Sequence, residues 1–263
     1  DGQSGKKLAV VMHNESKPAG KQLPKPKEPV KPKKPTLKAP GKKASAKEKT
    51  KFEDAQKKYK ESMKKYETAK KQYDVDVKAY EANKALWSDY NQSQNEYAAS
   101  EKALKAAGYT VVTVASGKAL LNALKNAGSI KELVVLHHGT PFGLGGEGAG
   151  AGLYTDKPAP GTPLDTSRGA QLSDLEKMIK DKKIVFDNDA TIVLGGCRTA
   201  GGKEGSHPGS TWTGPSEDTF ASRLAKVTGR EVFGSEGVSS YGTDQSDSTP
   251  LRHSNIGWHR FTQ

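Results

Sequence analysis

One cysteine and one pair of histidines are the residues whose chemistry and spacing suggest a reactive site. Cys197 is the single cysteine among 263 residues, and it follows the apolar run ATIVLGG. His137 and His138 follow a second apolar run, ELVVL, about 60 residues earlier. A thiol beside an imidazole is the nucleophile and base of cysteine hydrolases, in which the thiolate attacks a carbonyl carbon. If the two runs form neighbouring strands, the two groups meet at one edge of a sheet.

Glycines accompany both motifs. Gly139 follows the histidines, and Gly195 and Gly196 precede the cysteine. Without side chains, these positions let a substrate backbone come close. The backbone amides of Gly139 and Cys197 are candidate donors to the oxyanion that forms during attack. A single cysteine is also often a buried packing residue, so the residues alone leave packing open as the alternative.

The order of the two motifs resembles that of the caspase-like cysteine peptidases, which include caspases, metacaspases and the self-cleaving domains of large bacterial toxins. The matching runs are LVVLHHG at 133–139 and TIVLGGCRTAGG at 191–202. The run FASRLAKVTGREVFGS at 220–235 is similar to bacterial members of the superfamily. The resemblance covers roughly residues 109–263.

This resemblance implies peptide hydrolysis, with Cys197 as nucleophile and His138 as the base or proton holder. The family places its catalytic histidine directly before a glycine, which selects His138. His137, one residue earlier on the strand, is expected on the opposite face as a packing or hydrogen-bonding residue. No third acid, metal or cofactor is expected.

Substrate preference is predicted from the segment that follows the strand after the cysteine helix, which forms part of the substrate pocket in the family. Residues 235–247 contain no basic side chain. They contain Glu236, Asp244 and Asp247, of which Asp244 is favoured, so the prediction is a preference for Lys or Arg before the cut. The alternative is a solvated loop.

Strands alternate with helices over residues 109–263, which predicts an α/β fold with a mainly parallel sheet flanked by helices. Ser116 and Ser173 are expected ahead of two helices, and Gly229 at the end of a third. The glycine-rich stretch 139–152 is interpreted as a mobile loop beside the cleft. Asp187 and Asp189 are interpreted as turn or cap residues, with a divalent-cation site as the alternative.

A long helix is predicted before this domain, because residues 48–107 contain neither Gly nor Pro. Aromatic residues recur in it at seven-residue spacing, with one three-residue step between Trp87 and Tyr90, and a seven-residue period keeps residues on one stripe of a helix. Either one helix of roughly 90 Å or a helical hairpin fits residues 48–108. The stripe is interpreted as a packing surface, with stacking on bases or sugars as the alternative. The aromatic positions are Phe52, Tyr59, Tyr66, Tyr73, Tyr80, Trp87, Tyr90 and Tyr97.

The net positive charge of the chain is concentrated in its amino-terminal third. The chain has a net charge of +12, and residues 1–50 hold 14 Lys against four acidic side chains. Frequent Pro and mutually repelling Lys predict a stiff, solvated and disordered linker over residues 1–47. Within it, residues 7–13 are predicted to form one short strand, left over from a preceding domain. Residues 17–51 are an alternative site for an anionic partner or nucleic acid.

Together these observations predict a basic linker (1–47), a long helix (48–108) and a caspase-like cysteine endopeptidase domain (109–263). The substrate is a protein or peptide, and self-cleavage is conceivable in the Lys-rich segment. No apolar run is long enough to span a membrane. The chain begins at Asp1, which suggests a fragment or processed form, and its build suggests a secreted or delivered bacterial effector. The alternatives are a non-catalytic interaction module and a polyanion binder.

Overall fold

The structure is a computed structural model that describes residues 5–13, 17–156, 164–197, 199–201, 218–235 and 258–262. The chain divides into two compact units. Residues 1–17 and 92–263 form one unit, the sheet domain. Residues 18–91 form the second unit, the insert, which interrupts the sequence of the sheet domain.

Ten strands are present in the described part of the sheet domain, in two sheets. In chain order they are β1 (Lys6–Met12), β2 (Thr110–Val114), β3 (Ser129–Leu136), β4 (Gly139–Thr140), β5 (Gly143–Leu144), β6 (Leu153–Tyr154), β7 (Ala170–Gln171), β8 (Val185–Leu194), β9 (Glu231–Ser235) and β10 (Trp258–Phe261). The larger sheet has the order β10-β9-β8-β3-β1-β2, and β4 to β7 form the smaller one. All neighbours in the larger sheet are parallel except β9 and β10. The predicted α/β class with a mainly parallel sheet is confirmed.

Four helices of the described residues accompany the sheets, and they are α1 (Ala46–Ala106), α2 (Gly117–Asn126), α3 (Leu172–Lys180) and α4 (Phe220–Thr228). The three shorter helices pack on one face of the larger sheet, where alternate residues of the strands form the main core. The last turns of α1 cover the other face, where Tyr97 and Leu104 pack on Val11, Val134 and Leu136. Helices therefore lie on both faces. None of the helices in the described ranges is long and apolar enough to cross a membrane.

Capping residues predicted two of the three helix ends in the sheet domain that were assigned from the sequence. The Ser116 side chain accepts a hydrogen bond from the backbone N–H of Ala119 and so begins α2, as predicted. Gly229 ends α4 with φ 64°, a left-handed conformation that suits glycine. The prediction that Ser173 precedes α3 is wrong by two residues, because Gln171 and Asp174 form a reciprocal capping box there.

The strand predicted at 7–13 is an inner strand of the larger sheet. β1 lies between β3 and β2 and pairs in parallel with both. Its residues from Leu8 to Met12 are at most 2% exposed. The prediction of a strand left over from a preceding domain is therefore wrong. Pairing partners more than 100 residues away decide the position of β1, and no local pattern reports them.

The predicted long helix is a single helix, α1, so the helical-hairpin alternative is wrong. It runs for 61 residues and ends just before Gly108, whose φ of 84° terminates it as expected. Its residues up to Asn91 belong to the insert, and the remainder belongs to the sheet domain. The aromatic stripe is half-buried along the insert, as a packing surface requires.

The Pro-rich segment 21–40, named the strap here, lies alongside α1. It contains no helix, strand or turn, and four of its prolines are half-buried at every third position: Pro26, Pro29, Pro32 and Pro35. A spacing of three residues is one turn of polyproline II, so these prolines share one side of the strap. Most strap residues are exposed, as expected of a solvated linker, and the half-buried prolines mark its inner side.

Three contacts fix the direction of the strap, and they join Leu23 to Asn83, Glu28 to Lys70 and Leu37 to the groove beside Asp54. The strap therefore runs antiparallel to α1. From Leu23 to Leu37, polyproline II at about 3.1 Å per residue spans about 43 Å. From Asn83 to Asp54, an α-helix at about 1.5 Å per residue spans about 44 Å. The two lengths agree, so an extended strap spans the same stretch of α1 that its contacts mark out.

We expect Pro29→Ser to loosen the strap, because it removes a half-buried ring and frees a fixed φ angle. Trypsin should then cleave after Lys38 about fivefold faster, as followed by mass spectrometry. The matched control is Pro24→Ser, at an exposed position. Neither change creates a Lys-Ser bond that trypsin could cut. Equal acceleration in both variants would show that the half-buried prolines do not hold the strap.

Candidate active site

The two strands that precede the histidine pair and the cysteine are neighbours in the larger sheet, which meets the condition set by the sequence analysis. β3 and β8 pair in parallel, and their last pair sets Val135 opposite Leu194. The N–H of Gly195 then donates to the carbonyl of Val135 at 2.8 Å. Continuing this register by three residues sets His138 opposite Cys197.

Close backbone contacts show that the two chain segments stay together beyond the strands. A Cβ atom on Gly139 would lie 2.8 Å from the carbonyl oxygen of Cys197. A Cβ atom on Gly196 would lie 2.0 Å from Cε1 of His137. Both distances are shorter than real Cβ contacts, so both positions require glycine. The segments that carry the two candidate oxyanion donors, Gly139 and Cys197, are therefore in direct contact.

Side-chain alternation along β3 and β8 indicates which face of the sheet leads to His138 and Cys197. Val134 and Leu136 of β3 and Val193 of β8 face the end of α1. If the alternation continues past the strand ends, His138 and Cys197 follow on this same face. His138 is exposed and Cys197 is half-buried, so solvent reaches this end of the sheet.

His137 occupies the opposite face, as predicted for a packing residue. It is 1% exposed, and its ring fills the space left by the missing side chains of Gly139 and Gly196. Burial lowers the pKa of His137 to about 3, so its imidazole is neutral at ordinary pH. The glycine expected to admit a substrate, Gly196, thus makes room for a buried imidazole.

Thr199 ties the cysteine loop to its surroundings, and sequence analysis missed it. Its carbonyl accepts from the N–H of Ala221 at 2.9 Å, in the first turn of α4. Its hydroxyl accepts from the N–H of Ser235 at 3.2 Å, at the end of β9. Thr199 is fully buried. Two neighbouring elements therefore restrain the backbone two residues after Cys197.

His13 is a further residue at this end of the sheet that sequence analysis did not single out. It follows β1, whose pairing sets Val11 opposite Leu136, so the continued register sets His13 opposite His138. Its ring stacks on Tyr97 of α1, with centroids 4.5 Å apart and planes at 17°. The signal that could have found it is its place directly after an apolar strand, as for His138. Cys197, His138 and His13 thus follow three adjacent parallel strands.

Two short strands of the smaller sheet, β4 and β5, begin the glycine-rich stretch 139–152, and residues 145–152 form the loop between β5 and β6. Cβ atoms on Gly143, Gly146 and Gly152 would each lie within 2.7 Å of neighbouring backbone atoms. These glycines are needed because backbones pack closely there. The N–H of Gly145 donates to the carbonyl of His138 at 2.6 Å, which fixes the chain after the histidine.

The residues proposed for substrate recognition, Glu236, Asp244 and Asp247, lie outside the described residues, as does Arg198. Asp187 and Asp189 lie within β8, near its start, and thus away from the cysteine end of the strand. Asp187 accepts hydrogen bonds from the N–H of Gly5 and the hydroxyl of Ser129. No cluster of metal-ligating side chains occurs in the described ranges.

No protein-family model, curated protein or solved structure matches this chain.

We expect Gly196→Ala to destabilise the sheet domain by about 1–3 kcal/mol, because the added methyl group overlaps the ring of His137. Combining it with His137→Ala should remove most of this cost, so the double variant is more stable than the sum of the single changes. Chemical denaturation measures both effects. The control is Gly41→Ala, where a Cβ atom meets open space. Additive costs of the two changes would contradict this packing.

The buried imidazole of His137 should also make stability fall in acid. Its pKa is about 3 in the folded chain and about 6.5 in the unfolded chain, so only the unfolded chain binds the proton between these values. The free energy of unfolding therefore keeps its full value above about pH 7, and protonation of His137 in the unfolded chain lowers it by about 2 kcal/mol at pH 5. Urea titrations at several pH values measure this effect. His137→Leu should lose this fall in stability between pH 7 and pH 5, and the control His138→Leu, at an exposed position, should keep it. The same acid dependence in His137→Leu as in the wild type would contradict the assignment.

Proposed function

We propose that the chain is a cysteine endopeptidase in which Cys197 and His138 perform the reaction. The observation that supports this proposal is the parallel pairing of β3 with β8, the two strands that precede His138 and Cys197, together with the exposure of His138 and the half-burial of Cys197. The resemblance to caspase-like peptidases requires this adjacency. The burial of His137 supports His138 as the base, because an imidazole with a pKa near 3 binds protons weakly.

In the proposed reaction, the imidazole of His138 takes or holds the proton of the Cys197 thiol, and the thiolate sulfur attacks the carbonyl carbon of a peptide bond. The resulting oxyanion accepts hydrogen bonds from the amides of Gly139 and Cys197. When the C–N bond breaks, the imidazole gives its proton to the leaving amine. Water then attacks the thioester, which releases the carboxylic acid and restores the thiol.

The rigid surroundings of the site support catalysis over a purely structural cysteine. Thr199 holds the loop after the cysteine through α4 and β9, and Gly145 holds the carbonyl of His138. A nucleophile and base must be held close to their working positions, because small displacements reduce the rate sharply. Cys197 is half-buried, whereas a packing cysteine is usually fully buried.

We retain the preference for substrate Lys or Arg as part of this proposal. It rests on the acidic side chains Asp244, Glu236 and Asp247 and on the lack of basic residues around them. Fluorogenic peptides with Lys, Arg, Asp or Leu before the cut test it. Cleavage after Asp or Leu, and none after Lys or Arg, would reject this preference while leaving the peptidase proposal intact.

The main test measures thiol reactivity and peptide cleavage in parallel on the full chain. Cys197→Ala should abolish labelling by a fluorescent iodoacetamide near neutral pH and abolish cleavage. His138→Ala should reduce cleavage about 100-fold or more, in the range of a lost general base, and slow labelling. The control is His259→Ala, which alters a half-buried histidine on β10.

A non-catalytic interaction module is the alternative that this experiment distinguishes. It requires Cys197 to react no faster than a simple thiol, with no change on His138→Ala, and it requires no cleavage of any peptide. Mass spectrometry of the intact chain beside Cys197→Ala extends the test to self-cleavage. Fragments that appear in the wild type alone would also report the residue before the cut.

A further inference from the structure

The positive charge of the chain is concentrated in one half of the insert. Residues 31–65, named the basic half here, hold 14 Lys and four acidic side chains. The rest of the insert, residues 18–30 and 66–91, holds seven Lys and six acidic side chains. All fourteen Lys of the basic half are exposed. The basic half therefore carries +10 of the chain's net charge of +12.

The packing of the strap directs these lysines outward. Pro32 and Pro35 are half-buried, whereas Lys31, Lys33 and Lys34 between and beside them are exposed. A polyproline II segment with Pro on its inner side has two outward positions in each turn of three residues. The strap thus presents lysines from an ordered backbone and loses less conformational entropy on binding than a disordered tail.

The spacing of this charge fits a linear polyanion. The helical part of the basic half, residues 46–65, is about 30 Å long at about 1.5 Å per residue. Because the strap lies alongside this part of α1, the net charge of +10 of the whole basic half is spread over about 30 Å, which gives one positive charge per about 3 Å. A strand of duplex DNA carries one phosphate per about 3.4 Å along the axis.

The side chains of the basic half favour a duplex backbone over single-stranded nucleic acid or a membrane as the anionic partner. The aromatic residues of the basic half, Phe52 and Tyr59, are half-buried, which leaves no exposed rings on which single-stranded bases could stack. The insert contains no Arg, the residue that most often reads base edges. Leu37 is the single large apolar side chain of the basic half that is exposed, at 41%, which offers no apolar face for a membrane.

We propose that the basic half of the insert binds the phosphate backbone of duplex nucleic acid without sequence preference. Lysine side chains neutralise phosphates and release condensed counterions, so the affinity depends steeply on salt. The binding surface lies in the insert and uses neither Cys197 nor His138. This activity is therefore separate from the proposed peptidase reaction.

Fluorescence anisotropy with a labelled 24-base-pair DNA duplex, between 50 and 200 mM KCl, tests the proposal on the full Cys197→Ala chain. About six phosphate contacts predict a slope of log K against log [salt] near −5, which is about a 1,000-fold loss of affinity over this range. A second duplex of scrambled sequence should bind within about twofold of the first.

Two matched sets of six Lys→Gln changes locate the surface, and circular dichroism confirms that both keep the helix. One set lies in the basic half, at Lys33, Lys34, Lys38, Lys57, Lys60 and Lys64. The other lies outside it, at Lys21, Lys25, Lys27, Lys71, Lys78 and Lys84. The first set should lower affinity about 100-fold or more at 50 mM KCl and flatten the salt slope, and the second should change affinity less than about fivefold.

Three results would overturn the proposal. The first is no duplex binding at 50 mM KCl. The second is an equal loss in the two sets, which would mean that net charge alone drives binding. The third is tighter binding to vesicles with 30% phosphatidylserine than to the duplex at the same salt, which would make an anionic membrane surface the partner.

Discussion

The parallel pairing of β3 with β8, in the register that ends with Val135 opposite Leu194, is the constraint on which the candidate site depends. Slipping this register by one residue would turn the side chains that follow each strand to the other face. The ring of His137 packs where Gly139 and Gly196 lack side chains, so any other register would need a new space for it. The same packing therefore fixes which histidine is buried and which reaches solvent.

Residues far apart in sequence meet at this end of the sheet, because parallel strands bring all their carboxyl ends to one edge. β1, β3 and β8 deliver His13, His138 and Cys197, and α1 adds Tyr97 on the ring of His13. The long helix therefore contacts the row of residues that contains the proposed base. Its last turns belong to the core of the sheet domain and are more than a support for the insert.

Sequence signals predicted the elements whose causes are local. Apolar runs predicted the strands β2, β3 and β8. Ser116 and Gly229 predicted helix ends, because a capping residue bonds or bends the backbone only a few residues away. The pairing of β3 with β8 was foreseen as a possibility because both are continuous apolar runs of a mainly parallel sheet. The roles proposed for those two residues remain predictions.

Long-range pairing was not predictable in the same way. β1 looks like an isolated apolar run until its partners on both sides are known, and the strap looks like a solvated linker until it is set against α1. Each half of the strap–helix pair shows its own period, three residues in one and seven in the other. Converted to length, three strap residues span about 9.3 Å and seven helix residues about 10.5 Å, so the two repeats are similar but not equal. The role of Thr199 was not predictable from its neighbours in sequence, because its hydrogen-bond donors lie in α4 and at the end of β9.

The place of the insert between β1 and β2 changes what self-cleavage in the Lys-rich segment would do. As an amino-terminal extension, residues 17–51 would be released by a cut. Here β1 precedes them and is held on both sides by β2 and β3. Its five apolar residues from Leu8 to Met12 are buried, and burying a Val, Leu or Met side chain contributes roughly 1.5–3 kcal/mol. A cut would therefore nick the chain and free one end of the strap, while β1, and His13 with it, stayed in the sheet.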